Sequence, residues 1–251
     1  MRGSRWLAAL LLVVTLPLGG CGLTERGVSP GAVVIEAATA PATWAPLAGA
    51  ALLGVTGWDR DIADWAVRKA PVFGKREKAW TYSDDLQYAL MAGMVASNLV
   101  PPGEDRAGGY ADRRLAANAL AFAGANAATA GLKEATRRER PDGSDRLSFP
   151  SGHATAAFTS AYQIQRNLNP EIGQPLARGL ITATTTGLAA ATGWARIEGE
   201  KHYPADVLAA AALSHVVTAL SFGLLADPAA PRFSLDATPD SVMLGFSMAL
   251  P

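Results

Sequence analysis

Apolar residues recur along this chain at helical spacing, and the polar breaks between the runs mark out a series of helices. Trp44 to Gly57 is a short apolar run. Asp59 to Lys69 is an amphipathic one, with Asp59, Asp61 and Asp64 early, Arg68 and Lys69 late and Pro71 stopping it, an order that complements the helix dipole. Ile62, Trp65 and Ala66 share one face, which we read as packed on a core in preference to lipid. Ser83 or Asp84 is expected to cap a helix running to about Val100, before Pro101-Pro102. Beyond a polar loop, Arg113 to about Thr136 is rich in alanine and strongly helical by propensity. Ser151 to Gln165 reads as a further helix, Pro175 opens one reaching Trp194, and Pro204 opens one reaching Leu225. No internal repeat interrupts the series. The pattern predicts an all-α fold, a single helical bundle over residues 44–226. Residues 227–251 form a tail with β-leaning stretches around Thr238-Pro239-Asp240, either a small hairpin or an irregular strap.

Two apolar stretches raise the question of a membrane. Val207 to Ala226 carries no full charge over 20 residues, which meets the length of a spanning helix. Much of it is alanine, and Ser214, His215, Thr218 and Ser221 interrupt it. Leu115 to Leu132 is broken by Asn118, Asn126 and Thr129. We read both as buried helices of a soluble bundle in preference to membrane spans. His215, inside the last helix, reads as a structural residue. The N-terminus is different. Arg2 and Arg5 precede an apolar run from Trp6 to Leu18, too short to cross a bilayer comfortably, and Leu18-Gly19-Gly20-Cys21 follows. The sequence resembles a bacterial lipobox. That resemblance implies a signal peptide over residues 1–20, lipidation of Cys21 and a tether over 21–43. It places the protein on the periplasmic face of a bacterial cell envelope, with Gly22 permitting delivery to an outer membrane.

Composition narrows the function. With 22 basic and 22 acidic residues the chain offers no electrostatic case for nucleic acid. One cysteine excludes an internal disulfide and a cysteine-built zinc site, and three histidines leave little room for a histidine-built one. No metal site is therefore expected.

Three separated clusters carry chemistry. Lys133 is followed after six residues by Arg140-Pro141; alone, basic residues at a helix end are dipole complements or solvated surface. Phe149-Pro150-Ser151-Gly152-His153 stands at a helix start, where a Ser-Gly pair leaves backbone N–H groups open to an anion. A plain serine cap beside a histidine is the other reading. Arg196 is followed after five residues by His202, and after three more by Asp206. Asp206 is expected to hold one imidazole N–H and point the other nitrogen outward; the alternative is a surface ion pair.

Together these residues resemble the signature of the type 2 phosphatidic acid phosphatase and vanadium haloperoxidase superfamily, Lys-x6-Arg-Pro, Pro-Ser-Gly-His and Ser-Arg-x5-His-x3-Asp. Two positions depart from it. Ala195 replaces the serine before the arginine, and the glycine common two residues before the second histidine is here Glu200, with Gly199 beside it. The resemblance implies a helical core and a metal-independent phosphatase. Lys133, Arg140 and Arg196 would hold three phosphate oxygens, with Ser151 and the Gly152 N–H completing the cradle. His202, oriented by Asp206, would attack phosphorus and become a phosphohistidine. His153 would protonate the leaving oxygen and then activate water. The implied substrate is a phosphorylated lipid, such as phosphatidate or a polyprenyl phosphate, or a small soluble phosphate monoester of the acid phosphatase kind. No cofactor is implied. Bound vanadate belongs to the haloperoxidase alternative, whose members are usually longer chains, and a non-catalytic envelope lipoprotein is the third possibility.

Overall fold

A computed structural model of the chain describes residues 29–103, 109–226, 232–238 and 241–247. The expected signal peptide and Cys21 lie outside the described residues. Within them the chain forms eight α-helices in order: α1 (Pro30–Thr39), α2 (Pro41–Thr56), α3 (Trp58–Lys69), α4 (Arg76–Ser97), α5 (Tyr110–Thr136), α6 (Gly152–Leu168), α7 (Pro175–Glu198) and α8 (Pro204–Leu225). Strands β1 (Arg232–Thr238) and β2 (Ser241–Ser247) follow as an antiparallel hairpin, with Arg232 opposite Ser247 and Thr238 opposite Ser241. The all-α bundle with a short β tail is the fold class that the sequence pattern predicts.

Helices α6 and α8 form the centre. Helix α6 packs against α4, α5, α7 and α8, and α8 also packs against α1, α2 and α5. Small side chains let these helices approach closely: Ala154, Ala157, Ala161, Ala189, Ala210 and Ala211 are buried together. Gly193 of α7 lies so near α8 that an added Cβ would come within 2.3 Å of Val207 Cγ1. A close crossing there leaves no room even for alanine.

Four sequence expectations change in the structure. The tether expected over 21–43 is in part helix α1. Pro30 at its first position is pre-set for the helix and Ser29 Oγ accepts from Ala32 N at 3.1 Å, while Val33 and Ala37 are buried. Helix α4 starts at Arg76, two turns before the Ser83 or Asp84 cap that the sequence suggests. Glu77, Lys78 and Ala79 are good helix formers, and the Trp80 indole, which donates to Gly199 O at 2.7 Å, ties the extra turns to the bundle. Helix α7 runs on to Glu198, a turn past Trp194, because Glu198 is buried and its carboxylate accepts from the Val72 and Phe73 N–H groups at 2.9 Å each.

The fourth change concerns α5. Most of α8 is buried, as expected of a core helix, but α5 turns an uncharged face outward. Leu115 and Leu120 are 59% and 51% exposed, with Ala116, Ala119, Ala123 and Ala127 beside them. Both α5 and α8 are long and apolar enough to cross a membrane. His215 of α8 serves packing: its Nδ1 donates to Thr43 Oγ1 at 2.7 Å, and its ring meets Tyr162 edge-on at 5.2 Å.

Candidate active site

The signature residues stand far apart in sequence and meet at one end of the bundle. Lys133 lies in the last turn of α5, Ser151 caps α6, Arg196 lies in the last turn of α7, and Asp206 lies in the first turn of α8. Loops 137–151 and 199–203 bring Arg140 and His202 to the same end. Antiparallel packing thus converts spacing along the chain into proximity. Gly152 sits against the Lys133 stem, where an added Cβ would lie 3.9 Å from Lys133 Cε.

His202 is 1% exposed, so the surface ion pair is not what the chain builds. Its Nδ1 lies 2.7 Å from Ser148 O. A carbonyl oxygen only accepts, so Nδ1 carries the proton and Nε2 keeps its lone pair. Nε2 faces Arg140 Nη1 at 3.4 Å. Burial pushes the His202 pKa down from 6.5 to about 4; Asp206 pulls the other way, and Lys133 and Arg140 add to the depression. At neutral pH the ring is an uncharged base with an unprotonated nitrogen toward the cations.

Asp206 stands beside the imidazole N–H, as the four-residue spacing suggests, but at longer range than the main chain does. Its Oδ2 is 3.5 Å from His202 Nδ1, beyond the 2.7 Å bond to the Ser148 carbonyl. The carboxylate instead accepts from Ser148 Oγ at 2.6 Å, from Tyr203 N at 2.9 Å and from Arg138 Nη1 at 2.6 Å. Arg138 also pairs with Asp59 of α3, whose Oδ1 accepts from Ala205 N at 2.7 Å. Asp206 therefore orients His202 mainly through Ser148: the carboxylate fixes the serine side chain and the serine backbone fixes the ring.

The phosphate-binding candidates form an electropositive hollow. Burial and Arg140 together push Arg196 down to about 10, which leaves it charged at neutral pH. Its Nη1 donates to Ser83 Oγ at 3.2 Å, while its Nε is buried with no partner among the described residues. An unpaired buried guanidinium N–H is costly unless an anion fills the place. Arg140 donates from Nε to Asp145 Oδ1 at 2.7 Å, and the Lys133 ammonium donates to Leu147 O. Ser151 caps α6 with Oγ toward Ala154 N at 3.4 Å, and its own N–H donates to Asp206 O at 3.1 Å, which ties the two helix starts together. Among the described residues no three His, Cys, Asp or Glu side chains converge as a metal-binding group.

His153, in the first turn of α6, donates from Nε2 to Asp84 Oδ1 at 2.7 Å. Burial holds its pKa below 6.5, with Arg196 and Arg140 pressing in the same direction and Asp84 opposing them. Glu200 explains one departure from the signature. It sits at φ +58, a left-handed conformation that glycine adopts without strain, and it is held there by an ion pair with Arg76. Lys201 pairs with Asp142.

Sequence reasoning missed Arg138, Ser148, Asp59 and the roles of Ser83 and Asp84. No local signal marks them: Arg138 stands among Glu134, Arg137, Glu139 and Arg140 and reads as one more charged residue at a helix end. The match to known families agrees with the geometry. Residues 114–227 match the model of the PAP2 superfamily, a group that includes phosphatases and haloperoxidases, and the match supports that superfamily for this chain. No curated protein and no solved structure matches the chain significantly.

Proposed function

We propose that this chain is a metal-independent phosphatase that hydrolyses phosphate monoesters through a phosphohistidine on His202. One observation carries the reading. A buried, neutral histidine turns the unprotonated Nε2 toward a cluster of cations, its lone pair within 3.4 Å of Arg140 Nη1, and Arg196 keeps a buried N–H with no partner among the described residues. Phosphoryl transfer asks for little else, since positioning and charge stabilisation supply most of the barrier reduction. In the proposed reaction Lys133, Arg140 and Arg196 bind the phosphoryl oxygens, with the N–H groups at the start of α6. His202 Nε2 attacks phosphorus in line as the ester P–O bond breaks. His153 gives a proton to the leaving oxygen and then takes one from the water that attacks the phosphohistidine.

Two apolar helices support membrane association, and a lipid-linked Cys21 would hold the enzyme beside phosphorylated lipids in the envelope. Lipid phosphates are accordingly the proposed substrates. Phosphate release from p-nitrophenyl phosphate beside a panel of lipid phosphates is the direct test. Release is expected to persist in excess EDTA and to stop with micromolar to millimolar vanadate, which copies five-coordinate phosphorus. A strict requirement for an added divalent cation sinks the mechanism. Bromide oxidation with vanadate and peroxide, without phosphate release, replaces it with the haloperoxidase reading.

The two histidines also set an acid optimum. His202 has to be neutral to attack, and it stays so until pH falls to about 4. His153 has to be protonated to act as acid, and its pKa lies below 6.5. A plot of kcat/KM against pH is expected to peak below 6.5 and to fall on both sides. A maximum in the alkaline range contradicts these assignments.

A further inference from the structure

Helix α4 lies outside the stretch matched by the superfamily model, yet it sends two consecutive side chains into the site. Ser83 is fully buried; it donates to Trp80 O at 2.7 Å and accepts from Arg196 Nη1 at 3.2 Å. Both hydroxyl functions are therefore used, and Arg196 is braced by a serine from another helix where the signature's own serine is Ala195. Asp84, half-exposed, accepts from His153 Nε2 at 2.7 Å. Consecutive residues on a helix do not share a face, so α4 straddles the site, with Ser83 turned into the bundle and Asp84 toward its mouth.

We propose that Asp84 is the positioning residue for His153, holding its Nε2–H so that Nδ1 is the nitrogen that exchanges protons with substrate. The proposal rests on the phosphatase reading. Of the charged groups around His153, Arg196 from α7 and Arg140 from the loop before α6 both disfavour the imidazolium; Asp84 from α4 is the one that favours it. Without that carboxylate the ring between two guanidinium groups would seldom carry the proton it has to donate. In the first half-reaction the Nδ1 proton moves to the leaving oxygen as that oxygen takes the electron pair of the breaking P–O bond. The ring is left neutral, with Nε2–H still on Asp84. In the second, Nδ1 accepts a proton from water as the water oxygen bonds to phosphorus, and the P–N bond electrons return to His202.

The test is the dependence on leaving group. An acidic phenol departs without a proton, whereas an alkoxide needs one. Asp84→Asn is expected to lower kcat/KM, which reports the steps up to departure of the leaving group, about 10- to 100-fold on an alkyl phosphate such as glycerol phosphate, and less than about threefold on p-nitrophenyl phosphate. Asp84→Glu should restore part of the alkyl activity. Imidazole titration by NMR should show the His153 pKa lower in Asp84→Asn than in the unmodified protein. An equal loss on both esters, or none on either, overturns the positioning role. An unchanged His153 titration overturns the contact itself, whatever the activity. Absence of turnover by the unmodified enzyme on both esters overturns the phosphatase reading, and the catalytic half of this proposal with it.

Discussion

His202→Ala is expected to lower phosphate release by on the order of 10⁴-fold or more while leaving the helical circular dichroism intact. In the proposed mechanism removing the ring takes away the atom that would bond to phosphorus, and neither neighbour would substitute: Arg140 beside it is a cation, and the Ser148 carbonyl faces Nδ1. At about 1.4 kcal/mol per tenfold, that loss amounts to roughly 5–6 kcal/mol of transition-state stabilisation. The fold should survive because the ring sits on the loop between α7 and α8 and is not in the alanine-lined core. Steady-state release from p-nitrophenyl phosphate measures the effect, and acid quenching of the unmodified enzyme with labelled substrate should trap a phosphoenzyme absent from the variant. Activity within tenfold of the original removes His202 from the nucleophile's place.

Arg138→Ala is expected to cost about 3–5 kcal/mol of folding stability, the largest such loss anticipated for a polar side chain here. Arg138 lies between Asp59 and Asp206, and both carboxylates are buried. Its guanidinium also lies 4.1 Å from the centre of the Tyr203 ring. Truncation leaves two acids in a low-dielectric space with their shared cation gone, and breaking such a pair costs far more than the pair contributes. Arg138→Lys keeps one charge but cannot serve both acids with a planar fork, so it should fall between alanine and the original. Urea unfolding at neutral pH measures the stability. Because Asp206 fixes Ser148, and Ser148 fixes His202, kcat should fall with Arg138→Lys even where the protein remains folded. A lysine variant with full kcat breaks that chain of support.

Much of the bundle is legible in the sequence because helices begin and end on local chemistry. Pro204 opens α8 and Pro175 opens α7 where the sequence says they should, since proline fixes the first-turn geometry whatever surrounds it. Starts that depend on tertiary contacts are not legible. Helix α4 gains two turns because Trp80 finds the carbonyl of Gly199, and Ser83 and Asp84, good caps by type, are used mid-helix as hydrogen-bonding groups. The exposed face of α5 was unreadable for a related reason: its alanines and leucines look the same in sequence whether they face protein or lipid. In the site, the motif residues stand out because their spacing is distinctive. Their supports do not. Asp59 and Ser148 lie 147 and 58 positions from Asp206, and Asp84 lies 69 from His153; nothing local marks either relation.

In the proposed mechanism the bond from His202 Nδ1 to the Ser148 carbonyl would fix which isomer the reaction intermediate takes. A backbone carbonyl oxygen accepts a hydrogen bond and never donates one, so the ring cannot exchange tautomers without losing that partner. The phosphoryl group would therefore be carried on Nε2, the nitrogen remote from the main chain, and not on Nδ1. The positive charge that the ring acquires on phosphorylation would be spread toward Ser148 and the carboxylate behind it. The regiochemistry of the proposed intermediate would thereby rest on the main chain at residue 148, where no side-chain substitution removes the acceptor.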